Sequence, residues 1–215
     1  MRESRWCAVL ELLFVPLAIG LHAAGMIGKP KLPLLLLGWL SMWLRRTGWR
    51  QLGLARPASW PRTAVLAVVI GVVYNLLDIF VLLPLIHRLT GEPLRLEAFD
   101  SLRGNVGMLA LLILAAWVSA ALVEEMLYRG YLLNRATDLF GRSVPGWMLS
   151  VVLVSIVFAF AHHSQGPSGV IDNAIAGLLF AGLYLASRRN LWLPIMVHGV
   201  VDTSSLVLLY AGFKP

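Results

Sequence analysis

A chain of 215 residues that is 59% hydrophobic and 13% charged falls outside the composition of a soluble domain, in which about a quarter of residues carry charge. Its mean hydropathy of +0.78 reads as an integral membrane protein. The net charge of +7 does not indicate nucleic acid, because the arginines sit in short clusters between apolar runs: Arg45, Arg46, Arg50, Arg56 and Arg62, then Arg135 and Arg142, then Arg188 and Arg189. That is the pattern of connections held on the cytoplasmic side, with affinity for anionic membrane lipid. At about 20 apolar residues per span, the length predicts an all-α polytopic transmembrane bundle with about seven to eight membrane segments. The expected organisation is one membrane domain over 1–215, with N-terminal spans in 1–104 and a motif-bearing core in 105–205.

The N-terminal run has basic residues before an apolar stretch, as a signal peptide does. Glu11 interrupts it, however, no small-x-small cleavage site follows, and apolar character continues to Met26. A retained first helix over Trp6 to Ile27 is expected. Cys7, the single cysteine, has no disulfide partner and reads as a small apolar residue. GKPK at 28–31 is a tight turn. Leu32 to Leu44 is short for a span and is tilted, re-entrant or extended by that turn. The arginine- and tryptophan-rich stretch 45–62 is an interfacial cytoplasmic loop.

A third span over Thr63 to Ile86 carries Asn75 and Asp78, which are expected to face protein and serve structural hydrogen bonding. Residues 87–105 form a polar connection on the other side with one amphipathic turn. The fourth span starts near Val106 and continues to about Leu133, before GRSVPG at 141–146 breaks it. The fifth runs from Trp147 into FAFAHHSQGPSG, where Gly166 and Pro167 end it. The sixth, Val170 to Ala186, carries Asp172 and Asn173 and a Gly177/Ala181/Gly182 cluster suited to close packing. The seventh, Leu191 to Phe213, holds His198 and Asp202.

The stretch WVSAALVEEMLYRG at 117–130 puts two acids and an arginine at the end of an apolar run. Glu125 and Arg129 are four apart on one helical face and can pair, while Glu124 points roughly 100° away and is left free. A carboxylate at membrane depth with no cation beside it tends to take up a proton, which suits a general acid or base. The alternative is that both acids end a helix at the water interface. His162 and His163 close the run VFAFAHH, with Phe158 one turn earlier on the face of His162. They read either as an interfacial cap or as functional groups. His198 and Asp202, four apart, can hydrogen bond and so fix the imidazole tautomer, or Asp202 serves only the helix interior.

Three polar clusters on separate apolar segments favour one shared intramembrane site, since each alone is costly in lipid. A carboxylate and a histidine from different helices can hold and deprotonate a water, and a second histidine can donate to a developing oxyanion. Serine and zincin chemistry have no motif here: neither Gly-x-Ser-x-Gly nor His-Glu-x-x-His occurs. A metal held by Glu124, His162 and His198 stays open as the alternative, because two His and one Glu form a catalytic zinc set.

These segments resemble a known family. Glu124-Glu125-Met126-Leu127-Tyr128-Arg129 matches the Glu-Glu-x-x-x-Arg motif of the type II CAAX prenyl endopeptidases, also called the CPBP or Abi group of intramembrane proteases. Phe158 to His162 is similar to that family's Phe-x-x-x-His, and His198 to Asp202 to its His-x-x-x-Asn/Asp. The resemblance covers about residues 105–205 and implies a helical bundle with an internal polar cavity, where a glutamate and a histidine activate water to cut a peptide bond. It implies that Glu124 and His162 activate the water, that His198 and Asp202 stabilise the oxyanion, and that Glu125, Arg129 and Phe158 shape the site, with no cofactor. An ionised Asp202 cannot donate to an oxyanion, so an indirect role through His198 is expected. The implied partner is a peptide or protein substrate, CAAX-like or otherwise membrane-associated, and the implied location is the bacterial inner membrane.

If the basic stretches are all cytoplasmic, Glu124 and His198 lie nearer that side and His162 ends its span on the other. A common site therefore requires the helix of His162 to be sunk, with 164–169 as a buried loop, and Glu124 within one bridging water of His162. Two other readings compete. A proton-coupled transporter would be expected to repeat its broken helices in two halves, whereas these groups lie in one half. A non-catalytic scaffold or immunity protein would keep the fold without hydrolysis.

Overall fold

The computed structural model describes residues 5–28 and 31–213, apart from the side chain of Leu32. Lys29 and Pro30 of the expected GKPK turn lie outside the described residues. Among the described residues there are seven helices and no strand: α1 (Arg5–Ala23), α2 (Lys31–Leu44), α3 (Trp60–Thr90), α4 (Val106–Phe140), α5 (Val144–Ala161), α6 (Gly166–Ala186) and α7 (Trp192–Tyr210). All but α2 are long and apolar enough to cross a membrane. The protein is a multi-pass helical membrane bundle.

Helix starts follow local chemistry. Ser59 accepts from the amide of Arg62 at the start of α3, Asn105 from Met108 at α4, and Ser143 from Gly146 at α5, the first and last followed by a proline whose missing N–H costs nothing there. At 18 residues, α5 matches the hydrocarbon thickness, while α3 and α4, at 31 and 35, exceed it. Both long helices contain π-helical turns, at Asp78–Leu82 in α3 and at Ala116–Leu122 and Met126–Leu132 in α4.

The first helix ends at Ala23 rather than Ile27 and the third runs Trp60–Thr90 rather than Thr63–Ile86, and two further boundaries differ in ways that bear on the site. Helix α4 runs past Leu133 to Phe140, so Arg135 is not on a loop. It is buried in the helix and pairs with Glu11 of α1 and with Asp138. The acid that interrupts the first apolar run is thereby explained, since Glu11 also accepts from Ser41 and Tyr131, each at 2.6 Å. The second difference is at Gly166 and Pro167. They start α6 rather than ending α5, and the chain turns in one short 3₁₀ segment, His163–Gln165. Gly166 supplies the turn with a φ of 80°, and Pro167 is tolerated in a first helical turn. The expected buried loop at 164–169 is therefore mostly helix.

Helix α7 packs along α3 and the middle of α4, and α5 packs along α6. Small residues set these distances: a Cβ on Gly71 would stand 2.7 Å from Val200 Cγ1, and one on Gly177 would stand 3.0 Å from Ser155 Cβ. Asn75 donates to Ser204 and accepts from Ser205, the structural role expected of it. At one end of the bundle the basic stretches meet. Tyr184 donates to the carbonyl of Leu52, Asn190 to that of Ala55 and the amide of Leu191 to that of Gly53, while Arg45 lies 3.8 Å from Asp138.

Candidate active site

The two acids of α4 lie in a single α-helical turn, Val123–Glu125, between its two π-helical segments. Wider turns of this kind break the regular register and recur at functional sites. Here both acids point into protein: Glu125 is 0% and Glu124 5% exposed.

Glu125 and Arg129 pair as the spacing predicts, at 2.8 Å and fully buried. The second guanidinium nitrogen donates to the carbonyl of Gly177 at 3.1 Å. The plane lies over the rings of Phe158 at 4.5 Å and Phe180 at 5.3 Å. Ring faces and a carbonyl share the positive charge with Glu125, which a buried ion pair requires to persist.

Glu124 is not free. Lys31, at the start of α2, places Nζ 2.6 Å from Glu124 Oε1 and also donates to the carbonyl and hydroxyl of Ser119 at 3.0 and 3.2 Å. This corrects the sequence expectation of an unpaired acid. Helix α2 starts beside the acids and brings a cation to them. Reading Lys31 as part of a turn hid it. The remaining signal in the sequence is a lysine opening an apolar segment too short to span.

Glu124 Oε2 is buried and makes no hydrogen bond within the protein. Facing it at 3.9 Å is Nε2 of His162. Nδ1 of His162 lies 2.8 Å from the carbonyl of Phe158, which can only accept, so Nδ1 carries a proton and the neutral form of the ring presents a bare Nε2 to the acid. The gap is too long for a direct hydrogen bond and short enough for one water. Phe158 stacks obliquely on His162 at 4.7 Å and meets Tyr128 edge-on at 4.9 Å, so that it holds the imidazole in place. His163 does not join; its ring meets His22 at 6.0 Å.

His198 reaches the same cluster from α7. Its ring is stacked on Phe180 at 4.6 Å and 12°, and its Nδ1 lies 2.9 Å from Glu125 Oε1. Glu125, rather than Asp202, is its hydrogen-bond partner. Asp202 Oδ2 stands 3.6 Å from the other nitrogen, Nε2, beyond hydrogen-bond length but within ion-pair distance. The i, i+4 spacing placed the pair on one face correctly; the tertiary contact with Glu125 took the closer position. Gly199 is required by the same packing, because a Cβ there would stand 2.8 Å from the indole of Trp117, whose Nε1 donates to Thr203 at 3.0 Å.

Glu124, Glu125, Arg129, Phe158, His162, His198 and Asp202 thus form one cluster drawn from α4, α5 and α7, with Lys31 added from α2. The groups lie at a common level, since His162, directly after the end of α5, stands 3.9 Å from Glu124. Among the described residues, no three His, Cys, Asp or Glu side chains are grouped so as to hold a metal ion. A polar cavity of about 610 Å³ lies elsewhere, at the basic end, and none of its lining residues belongs to the cluster.

Residues 106–204 match the family model described as Rce1-like: type II CAAX prenyl endopeptidase Rce1-like. The matched stretch runs from the start of α4 into α7 and contains every residue of the cluster except Lys31. Peptide hydrolysis is the activity this family implies in general. No curated protein and no solved structure matches the chain.

Proposed function

With the cluster inside an Rce1-like domain, we propose that the protein is an intramembrane endopeptidase in which Glu124 and His162 hold and activate a water. The observation that carries this reading is the 3.9 Å gap between His162 Nε2 and the buried Glu124 Oε2, which has no partner in the protein. One water fits there and donates to both. Lys31 supplies the counter-charge that a buried carboxylate needs.

In the proposed reaction the water oxygen adds to the carbonyl carbon of the scissile peptide, and its proton passes to Glu124. Charge then develops on the former carbonyl oxygen. His198 offers an N–H to that oxyanion while Glu125 holds its ring at Nδ1. The tetrahedral adduct collapses, the C–N bond breaks and Glu124 returns the proton to the departing amine. Asp202 acts through His198, at 3.6 Å, as a positioning residue. Glu125, Arg129 and Phe158 fix the shape of the site. No metal takes part. The substrate is a peptide segment presented at the membrane, CAAX-like or another membrane-associated sequence, prenylated or not, in the bacterial inner membrane.

The test is cleavage of a fluorogenic peptide panel, prenylated and unprenylated, by purified wild type and Glu124→Ala, with and without a strong chelator. Activity lost in the variant and kept in the chelator is the expected result. Loss in the chelator with rescue by zinc would replace this mechanism by a metal-dependent one. Absence of cleavage by wild type across the panel, with Glu124→Ala keeping full biological activity, would make the protein a scaffold.

A further inference from the structure

The basic stretches of the chain do more than mark one side of the membrane. The cavity of about 610 Å³ at that end is lined by Arg5, Arg45, Arg46, Arg135 and Arg142, with Asp138 the one acid on its wall. Glu11, behind the wall, takes one nitrogen of Arg135. Five guanidinium groups thus face two carboxylates. Arg135 has a side chain 1% exposed, and its Nη2 has no hydrogen-bond partner. Arg45 donates through Nε to the carbonyl of Ser41 at 3.1 Å and reaches Glu11 and Asp138 only at 4.0 and 3.8 Å, while Arg142 gives one nitrogen to Asp138 at 2.8 Å and keeps its others. Burial first, and then the neighbouring Arg135, hold Arg45 below the ordinary arginine range. Arg46 is held at a φ of 53°, a left-handed conformation unusual for a residue with a side chain. Guanidinium donors thus outnumber carboxylate acceptors around this cavity.

A second hollow adjoins it. Between α5 and α6 runs an apolar groove of about 840 Å³, walled by Val144, Trp147, Met148, Val152, Leu178 and Leu185. Arg142 lines both hollows. Arg189, also on the groove, lies over the ring of Trp147 at 5.8 Å. Because α5 begins at Val144 and α6 ends at Ala186, the groove opens at the basic end and runs along the spans, as an acyl chain does in a leaflet. Gly182 lies on the groove, and a Cβ there would have open space around it.

We propose that cavity and groove form one site for an anionic phospholipid, its phosphate held by Arg46, Arg135 and Arg142 and one acyl chain laid between α5 and α6. Guanidinium groups bind phosphate oxygens in bidentate fashion, and Arg135 is preset for this by its burial. The chain adds packing contacts that a soluble phosphate lacks. A zwitterionic lipid would fill the groove equally well but would bring an ammonium into a nest of arginines. The site is distinct from the glutamate cluster, so its test does not depend on catalysis.

The experiment is native mass spectrometry of the full-length protein in non-ionic detergent, titrated with phosphatidylglycerol, with phosphatidylcholine of the same chains, and with inorganic phosphate. Phosphatidylglycerol is expected to bind at least about tenfold tighter than phosphatidylcholine, because each arginine at a membrane surface is worth about fivefold. An Arg46→Gln/Arg142→Gln double variant should lose about 25-fold for phosphatidylglycerol and less for phosphatidylcholine, whose ammonium already offsets the hold of the arginines on its phosphate. Gly182→Phe, which fills the groove, should weaken phosphatidylglycerol about tenfold while leaving the unfolding temperature as in wild type. Equal affinity for the two lipids would overturn the proposal, as would indifference to both variants. Displacement of phosphatidylglycerol by inorganic phosphate at equal concentration, with Gly182→Phe silent, would reduce the site to one for free anions.

Discussion

Nζ of Lys31 stands 2.6 Å from Oε1 of Glu124, joining the first residue of a short helix to the acid at the centre of the cluster. The lysine side chain is 30% exposed and the acid 7%, so the pair lies where the cluster opens outward. A carboxylate buried to that degree requires compensation, and no other cation bonds to it among the described residues. In the proposed reaction, Lys31 thus sets the charge state in which Glu124 meets the water.

Lys31→Met should therefore lower kcat/KM by about 100-fold, the low end of what a positioned general base contributes, while Lys31→Arg retains a larger share. Kinetics of the two variants on any cleaved peptide checks this. A Lys31→Met enzyme as active as wild type would remove the lysine from the mechanism.

The buried pair of Glu125 and Arg129 predicts an asymmetric stability effect. Arg129→Met leaves Glu125 buried beside His198 without its main cation and should cost about 3–5 kcal/mol, whereas replacing both by a matched apolar pair should cost less. Denaturant unfolding in detergent measures both. Equal losses would mean that Glu125 left without Arg129 adds no cost, because His198 or a bound proton compensates it.

Packing at Gly199 gives a test that involves no charge. Gly199→Ala pushes a methyl to within 2.8 Å of the Trp117 ring and should cost about 1–3 kcal/mol by overpacking. Adding Trp117→Phe should recover part of that loss, since the smaller ring vacates the space. A double-mutant cycle of unfolding energies reports the coupling, which independent sites would not show.

His198 and Asp202 should separate kinetically. Loss of one oxyanion donor costs about 10²–10³ in kcat, which is the expectation for His198→Ala. Asp202→Asn keeps the shape and should fall within about tenfold of wild type, because Glu125 already orients the ring. If Asp202→Asn matches His198→Ala in kcat, the aspartate touches the reacting atoms itself.

Much of this site follows from helical spacing. A separation of four from Glu125 to Arg129, and of four from His198 to Asp202, puts each pair on one face whatever the surroundings. The apolar runs likewise set the spanning helices, because a backbone in lipid must satisfy its own hydrogen bonds. Boundaries were less legible where a local signal has two meanings. Gly166-Pro167 can end one helix or begin the next, and only the packing of α6 against α5 selects the second. Arg135 reads as a loop arginine until Glu11, on a distant helix, gives it a buried partner.

By itself the sequence determined the membrane class, the helices and the three polar clusters, since hydropathy and helical period act over a few turns of one segment. The tertiary structure decided the partners: Lys31 on Glu124, Glu125 rather than Asp202 on Nδ1 of His198, and the gap that one water can fill between Glu124 and His162. The physical reason is range. Spacing along a helix restricts which neighbours a side chain can reach, but a charge between helices goes to whichever partner compensates its desolvation best, and that is settled only when the helices pack.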